Sequence, residues 1–459
     1  MRTLGTRRRS TWQRSVGCAF QCLGSETGGK NVAEGAVDLL VHNVGMLITM
    51  RGGPGPRSGA SMAEIGAVAG GAVAIGDGLI LAAGREEDVR DQIAGRAILQ
   101  ELDAQGRLVT PGLIDPHTHL VHGGSREHEL ALKLRGVTYL EILAQGGGIL
   151  STVEMTRAAT EDELYVKAKK SLDTMLLYGA TTVEAKSGYG LTLEDELKQL
   201  RVAKRLQETH AVDVVSTFMG AHAVPTEYKE RADAYVSTVI DTMLPEIKRL
   251  GLAEFCDVFC EHGVFTVEQS RAILRAARAF GFGLKIHADE IESMGGAELA
   301  AELGCISAEH LLAATDEGLN AMARAGVVAV CLPATSFNLR VANHARARAM
   351  IEMGVPVALS TDYNPGSSPT ESLQLVMTLA CLHLRMTPEE VITALTINAA
   401  HAIGRADQIG SLEVGKQADL VLYHAPNLAY LPYHFGINHV DTVVKKGRIV
   451  VTDGKVVPF

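Results

Sequence analysis

Between residues 111 and 405 the sequence switches period eight times, each short run rich in Val, Ile, Leu and Ala giving way to a longer stretch with helical spacing. The runs are GLIDPHTH, ATTVEAKSG, VVSTFMGAH, CDVFCEHGV, GLKIHADE, CISAEHLL, VVAVCLPAT and PVALSTDY. Helix starts between and after them are explicit. Thr160 with Glu163, Thr266 with Gln269, and Thr387 with Pro388 and Glu390 have the spacing of caps that exchange hydrogen bonds with the first turn. Eight βα units of this length predict an α/β fold, a TIM-like (β/α)8 barrel over 111–405. A doubly wound open sheet is the alternative, but no segment resembles a Gly-rich dinucleotide turn.

The flanks have another texture. Stretches such as AVDLLVHNVGMLITM, GAVAIGDGLILAAG and VDTVVKKGRIVVTDGKVV are short β-type runs broken by Gly, Asn and Asp. They predict a small antiparallel β-sandwich domain built from both chain ends, 36–110 and 406–459. With 459 residues the chain is long enough for a barrel and a second domain. Residues 1–35 differ again, with five arginines and no acid in the first 25. This basic extension reads as a transit peptide, a disordered tail or a start placed too early, and it is expected to lie outside the fold.

A formal net charge of −10 argues against nucleic acid or an anionic membrane as a partner. No apolar run reaches the roughly 18–20 residues needed to cross a bilayer. Seven cysteines, an odd number in a long chain, predict ordinary thiols in a reducing compartment, hence a cytoplasmic setting.

Barrels of this kind place their chemistry at the C-terminal ends of the strands. Read in order, those ends carry His117 and His119, then Lys186 and Tyr189, His222, Glu261 and His262, His287 and Glu290, His310, and finally Asp362. A lone histidine here is more often structural, but so many at successive strand ends are hard to explain as core filling, because each buried imidazole needs partners. His117, His119, His287 and Asp362 together offer three imidazoles and one carboxylate, a donor set suited to zinc or ferrous iron.

HxH after the first strand, His after the fifth and sixth, and Asp after the eighth resemble the amidohydrolase superfamily. Members of that superfamily with two metals bridge them with a Lys on the fourth strand, and CDVFCEHGV has none. The resemblance therefore implies one zinc or iron ion per subunit, with Lys186 in a structural or charge-pairing role. Within the superfamily, PHTHLVHGGSREHE, AKSGYGL, FMGAHAVP, KIHADE, SAEHLL, CLPATSFNL and STDYNPGSSP are similar to the imidazolonepropionase family, and flanking segments carry the similarity from about 36 to 459.

That similarity implies metal-dependent hydrolysis of the ring amide of 4-imidazolone-5-propanoate, in histidine breakdown, by a homodimer acting on a small molecule. It implies catalytic roles for Glu290 as proton shuttle, His310 at the water or the developing oxyanion, and Asp362. Substrate contacts are expected from Arg126, Tyr139, Tyr189, His222, Glu290, Asn364, Gly366 and Ser367, with Arg126 meeting the propanoate. Two rivals stand beside this reading. A deaminase of a purine- or pyrimidine-like ring would use the same metal and the same Glu290. A non-catalytic barrel would lack the ligand set.

Overall fold

The computed structural model describes residues 35–137 and 147–457. All described residues belong to one compact unit. The eight apolar runs form eight parallel strands: β1 (Leu113–Asp115), β2 (Ala180–Lys186), β3 (Asp213–Ala221), β4 (Phe255–Cys260), β5 (Gly283–Ala288), β6 (Ser307–His310), β7 (Val328–Cys331) and β8 (Val357–Leu359). Each strand pairs in parallel with its sequence neighbour, the order expected of consecutive βα units. The ring closes just beyond β1 and β8, where Thr118 bridges Tyr363. His119 N–H donates to Tyr363 O at 2.9 Å and Asp362 N–H to His117 O at 3.1 Å. The seam of the barrel thus runs through the residues singled out as metal ligands.

The helix starts are where the sequence places them. Thr160, Thr266 and Thr387 head helices Glu161–Leu177, Val267–Ala279 and Pro388–Ala394, and each exchanges hydrogen bonds with the residue three positions on. Such a cap satisfies backbone donors that the first turn leaves open.

A second sheet takes nine strands from both chain ends. Its junction is the antiparallel pair of Leu108–Pro111 with Leu420–Tyr423. The ladder is not antiparallel throughout: Leu39–Ile48 runs parallel to Glu101–Asp103 and Leu108–Pro111. A parallel return needs a long crossover, and helix Glu86–Gln92 lies within it. Strand alternation decides which core each side chain joins. Leu420 and Leu422 pack with Leu39, Val41 and Leu47 in the sheet's own core, whereas Val421 and Tyr423 belong to the large core that includes the barrel. Buried Lys445 adds a charged tie, reaching Asp213 at the start of β3 (2.7 Å) and Asp419 (2.8 Å).

Cys256, Cys260, Cys305, Cys331 and Cys381 are free thiols. Among the described residues, no helix is long and apolar enough to cross a membrane.

Candidate metal centre and active site

The strand ends bring His117, His119, His222, His287, His310 and Asp362 together in the barrel mouth. Their donor atoms form three overlapping groups, each within 4.8 Å: His117, His119 and Asp362; His117, His287 and His310; His119, His222 and His287. No single group holds all four expected ligands, but His117 and His287 link the groups, with ring centroids 4.6 Å apart. Asp362 Oδ1 lies 3.4 Å from His117 Nε2 and 3.7 Å from His119 Nε2.

These residues fit a metal ion. His117 Nε2, His287 Nε2, His119 Nδ1 and His310 Nδ1 are buried without any hydrogen-bond partner, which is rare for interior polar atoms. Burial, with neighbouring histidines and Lys186 adding to it, holds His117, His119 and His310 well below the usual imidazole range, so they are neutral. Neutral imidazole is the form that binds metal. The Asp362 carboxyl is pushed up to about 7 by burial, although Thr335 donates to it at 2.6 Å. A nearby cation would relieve that cost.

Carboxylates fix the two central rings from behind. His117 Nδ1 lies 2.9 Å from Glu309 Oε2, and His287 Nδ1 lies 3.1 Å from Asp257 Oδ1. Each ring therefore donates from Nδ1 and turns Nε2 into the mouth. Nothing in the sequence marks out Asp257 or Glu309. Both lie inside apolar runs, where a single acid reads as an interruption.

Glu290 lies beside His310, Oε1 to Nδ1 3.6 Å. Burial pushes its carboxyl up to about 8, and Asp362 and Glu261 add to the rise. A group of that kind exchanges protons in the neutral range. Its loop is held by two acids. Glu261, a strand-end candidate, accepts from the backbone N–H groups of His262, Ile291 and Glu292, so its role is to shape the loop. Asp289 accepts from Met294, Gly296 and Ala297. Asp289, His310, Leu311 and Asp362 all have positive φ, between 49° and 70°. Such backbone is costly for residues other than glycine, and it collects where surrounding contacts enforce it, often at functional sites.

The expected substrate contacts fall into two sets. Tyr189 and His222 pack against His119, and His222 stacks on it with ring centroids 4.7 Å apart. His222 Nδ1 is committed to Gly188 O at 3.1 Å. Arg126 is buried and already paired, Nε to Glu129 Oε1 at 3.0 Å and Nη2 to Glu129 Oε2 at 2.8 Å. Its other edge faces Gly366, where an added Cβ would collide with Nη1. Asn364 builds the neighbouring loop: its Oδ1 accepts from the N–H groups of Gly366 and Ser367, both at 2.8 Å, and its Nδ2 donates to Asp362 O at 2.7 Å. Tyr139 lies outside the described residues.

A cavity of about 250 Å³ opens beside Glu290, His310 and Thr335. A larger one, about 690 Å³, lies at the opposite end of the barrel near Ile306 and Val328. Its cation, Lys416, is already engaged by Ala406 O, Ser411 and Glu413, so size does not mark the chemistry here.

Comparison with known proteins agrees with this geometry. The amidohydrolase family model matches residues 108–450. An imidazolonepropionase of Alkaliphilus metalliredigens is 59% identical over 424 residues, covering 92% of this chain and 100% of that protein. One from Geobacillus kaustophilus is 57% identical over 420 residues, covering 91% and 99%. Among solved structures, an adenosine deaminase from Xanthomonas campestris with bound zinc superposes with a TM-score of 0.66 at 19% identity, covering 93% of this chain and 95% of that one. An A. niger ochratoxinase gives 0.66 at 19%, covering 91% and 96%. At such identity these structures speak for the fold alone.

Proposed function

The chain belongs to the amidohydrolase family and, within it, to the imidazolonepropionases, and on that premise we propose that it hydrolyses 4-imidazolone-5-propanoate to N-formimidoyl-L-glutamate. The observation that carries the mechanism is the set of buried, unpartnered imidazole nitrogens of His117, His119, His287 and His310 in the mouth that also holds Asp362 and Glu290. His117, His119, His287 and Asp362 would hold one zinc or ferrous ion per chain, which would supply Lewis acidity and lower the pKa of water at the site toward ~7.

The chain's own groups do the rest. Glu290 takes a proton from the attacking water and passes it to the departing ring nitrogen. The amide C–N bond breaks, the water oxygen stays on the carbonyl carbon as a carboxylate, and the nitrogen leaves as part of the formimidoyl group. Glu290's displacement to about 8 supports this double role. His310, neutral and adjacent, hydrogen-bonds the oxygen on which charge develops. His222, with Nδ1 engaged by Gly188, offers Nε2 to the ring, and Tyr189 packs beside it.

Arg126 receives the propanoate carboxylate on the edge that Glu129 leaves open. Asn364, Gly366 and Ser367 form the wall next to it, and the family similarity implies a further substrate contact from Tyr139. A place in histidine breakdown and a homodimeric state come with the family, and the free thiols fit a cytoplasmic setting.

The test is product analysis. Purified protein given 4-imidazolone-5-propanoate should yield N-formimidoyl-L-glutamate without ammonia. Stoichiometric ammonia from this substrate, or turnover of purine- or pyrimidine-like rings alone, would overturn the proposal in favour of a deaminase.

A further inference from the structure

Below the histidines, five charged side chains lie in one row through the barrel interior: Glu309, Lys285, Glu184, Lys186 and Asp257. All five are fully buried, with side-chain exposure of 0%. Acid and amine alternate along the row. Lys285 Nζ is 4.0 Å from Glu309 Oε1 and 3.0 Å from Glu184 Oε2. Lys186 Nζ is 3.1 Å from Glu184 Oε1 and 2.8 Å from Asp257 Oδ2. Both ends of the row terminate on an imidazole, Glu309 on His117 at 2.9 Å and Asp257 on His287 at 3.1 Å.

Strand period explains how they meet. Glu184 and Lys186 are two apart on β2, and Lys285 is two before His287 on β5, so each pair shares a face. Barrel interiors of this fold are usually packed with branched apolar residues. Buried ions cost more to desolvate than such packing, and their mutual attraction is weak evidence for stability. The row therefore calls for a role other than holding the barrel together.

We infer that Lys186 and Lys285 are positioning residues for metal binding, joined through Glu184 so that the carboxylates orienting His117 and His287 are set as one array. The inference rests on the reading of those two histidines as metal ligands. Lys186 occupies Asp257 Oδ2, which leaves Oδ1 turned to His287. Lys285 and Ser307 lie on the Oε1 side of Glu309, which leaves Oε2 to His117. Glu184, steadied by Thr217, engages both amines. Without either lysine, Glu184 would face a ring-orienting carboxylate with no cation between them, and repulsion would turn that carboxylate from its imidazole.

The experiment measures zinc affinity of the full-length protein, stripped of metal, by competition with a chromophoric chelator, while circular dichroism reports the fold. Lys186→Met should bind zinc about tenfold to a hundredfold more weakly, the range seen when outer partners of ligands are lost. Adding Glu184→Gln should recover most of that loss, because the amide removes the repulsion and offers Asp257 a donor. Lys285→Met and its Glu184→Gln double variant repeat the comparison on the other arm. Wild-type affinity in both single variants overturns the inference. So does a loss that Glu184→Gln leaves unchanged, and so does failure of both single variants to fold, since the lysines would then be structural supports. His117→Ala is the separate control: unchanged zinc binding there would refute the ligand assignment itself, whatever the lysines do.

Discussion

Arg126 and Glu129 form a buried two-pronged pair, Nε to Oε1 at 3.0 Å and Nη2 to Oε2 at 2.8 Å. Glu129 Oε1 also accepts the Gly148 N–H at 2.8 Å, so the guanidinium is clamped on one edge and offers only its Nη1–Nη2 edge. That edge matches a carboxylate with two parallel hydrogen bonds. Charge-assisted bonds contribute about 1.5–3 kcal/mol each, so Arg126→Ala should lower kcat/KM by about 10–100-fold if one bond is lost and by more if both are. A substrate analogue lacking the carboxylate should be poor for the wild type and no worse for the variant. Equal losses on analogue and substrate would place the propanoate elsewhere.

Glu290→Gln keeps the shape of the side chain and removes the proton exchange. Metal content should persist while kcat falls at least about a hundredfold, the lower end for a positioned acid–base group. Steady-state kinetics with parallel elemental analysis checks both halves. Near-normal turnover would remove Glu290 from the mechanism.

The tie between barrel and second sheet predicts a pH-dependent stability. Burial alone would raise the Asp213 carboxyl, but Lys445, followed by Lys446 and Gln417, overcomes it and holds the group down to about 2. A depressed carboxyl stabilises the fold above its unfolded pKa, near 3.9, and loses that contribution as pH falls through about 2. Asp213→Asn should therefore cost about 2 kcal/mol at pH 7. Denaturant midpoints of the two proteins should converge as pH is lowered toward 3. A gap of constant size across that range would mean the charge is not what Asp213 contributes.

Much of this architecture is legible in the residues because it is local. Eight period changes and three caps specify the barrel, and His117, His119, His287 and Asp362 stand where strands end. What the sequence conceals is pairing across the interior. Asp257, Glu309 and Lys285 point inward by strand alternation, yet a charged residue inside an apolar run gives no sign of which ring or amine it meets. Stepping two residues back from His287 would have found Lys285, and from Lys186, Glu184. Asn364 illustrates the converse. Its motif suggests substrate contact, while the hydrogen bonds by which it also builds the turn carrying Gly366 and Ser367 are not spelled by that motif. In the second sheet, parallel pairing depends on a crossover whose landing strand no local pattern names.

Elemental analysis of the purified protein tests the central claim most directly, that one ion sits where β1, β5 and β8 converge. Without a lysine among the strand-end groups of β4 to bridge a pair, the wild type should carry about one zinc or iron per chain, and His117→Ala should carry almost none and lose turnover. Two tightly held ions per chain, or full metal content in His117→Ala, would contradict it.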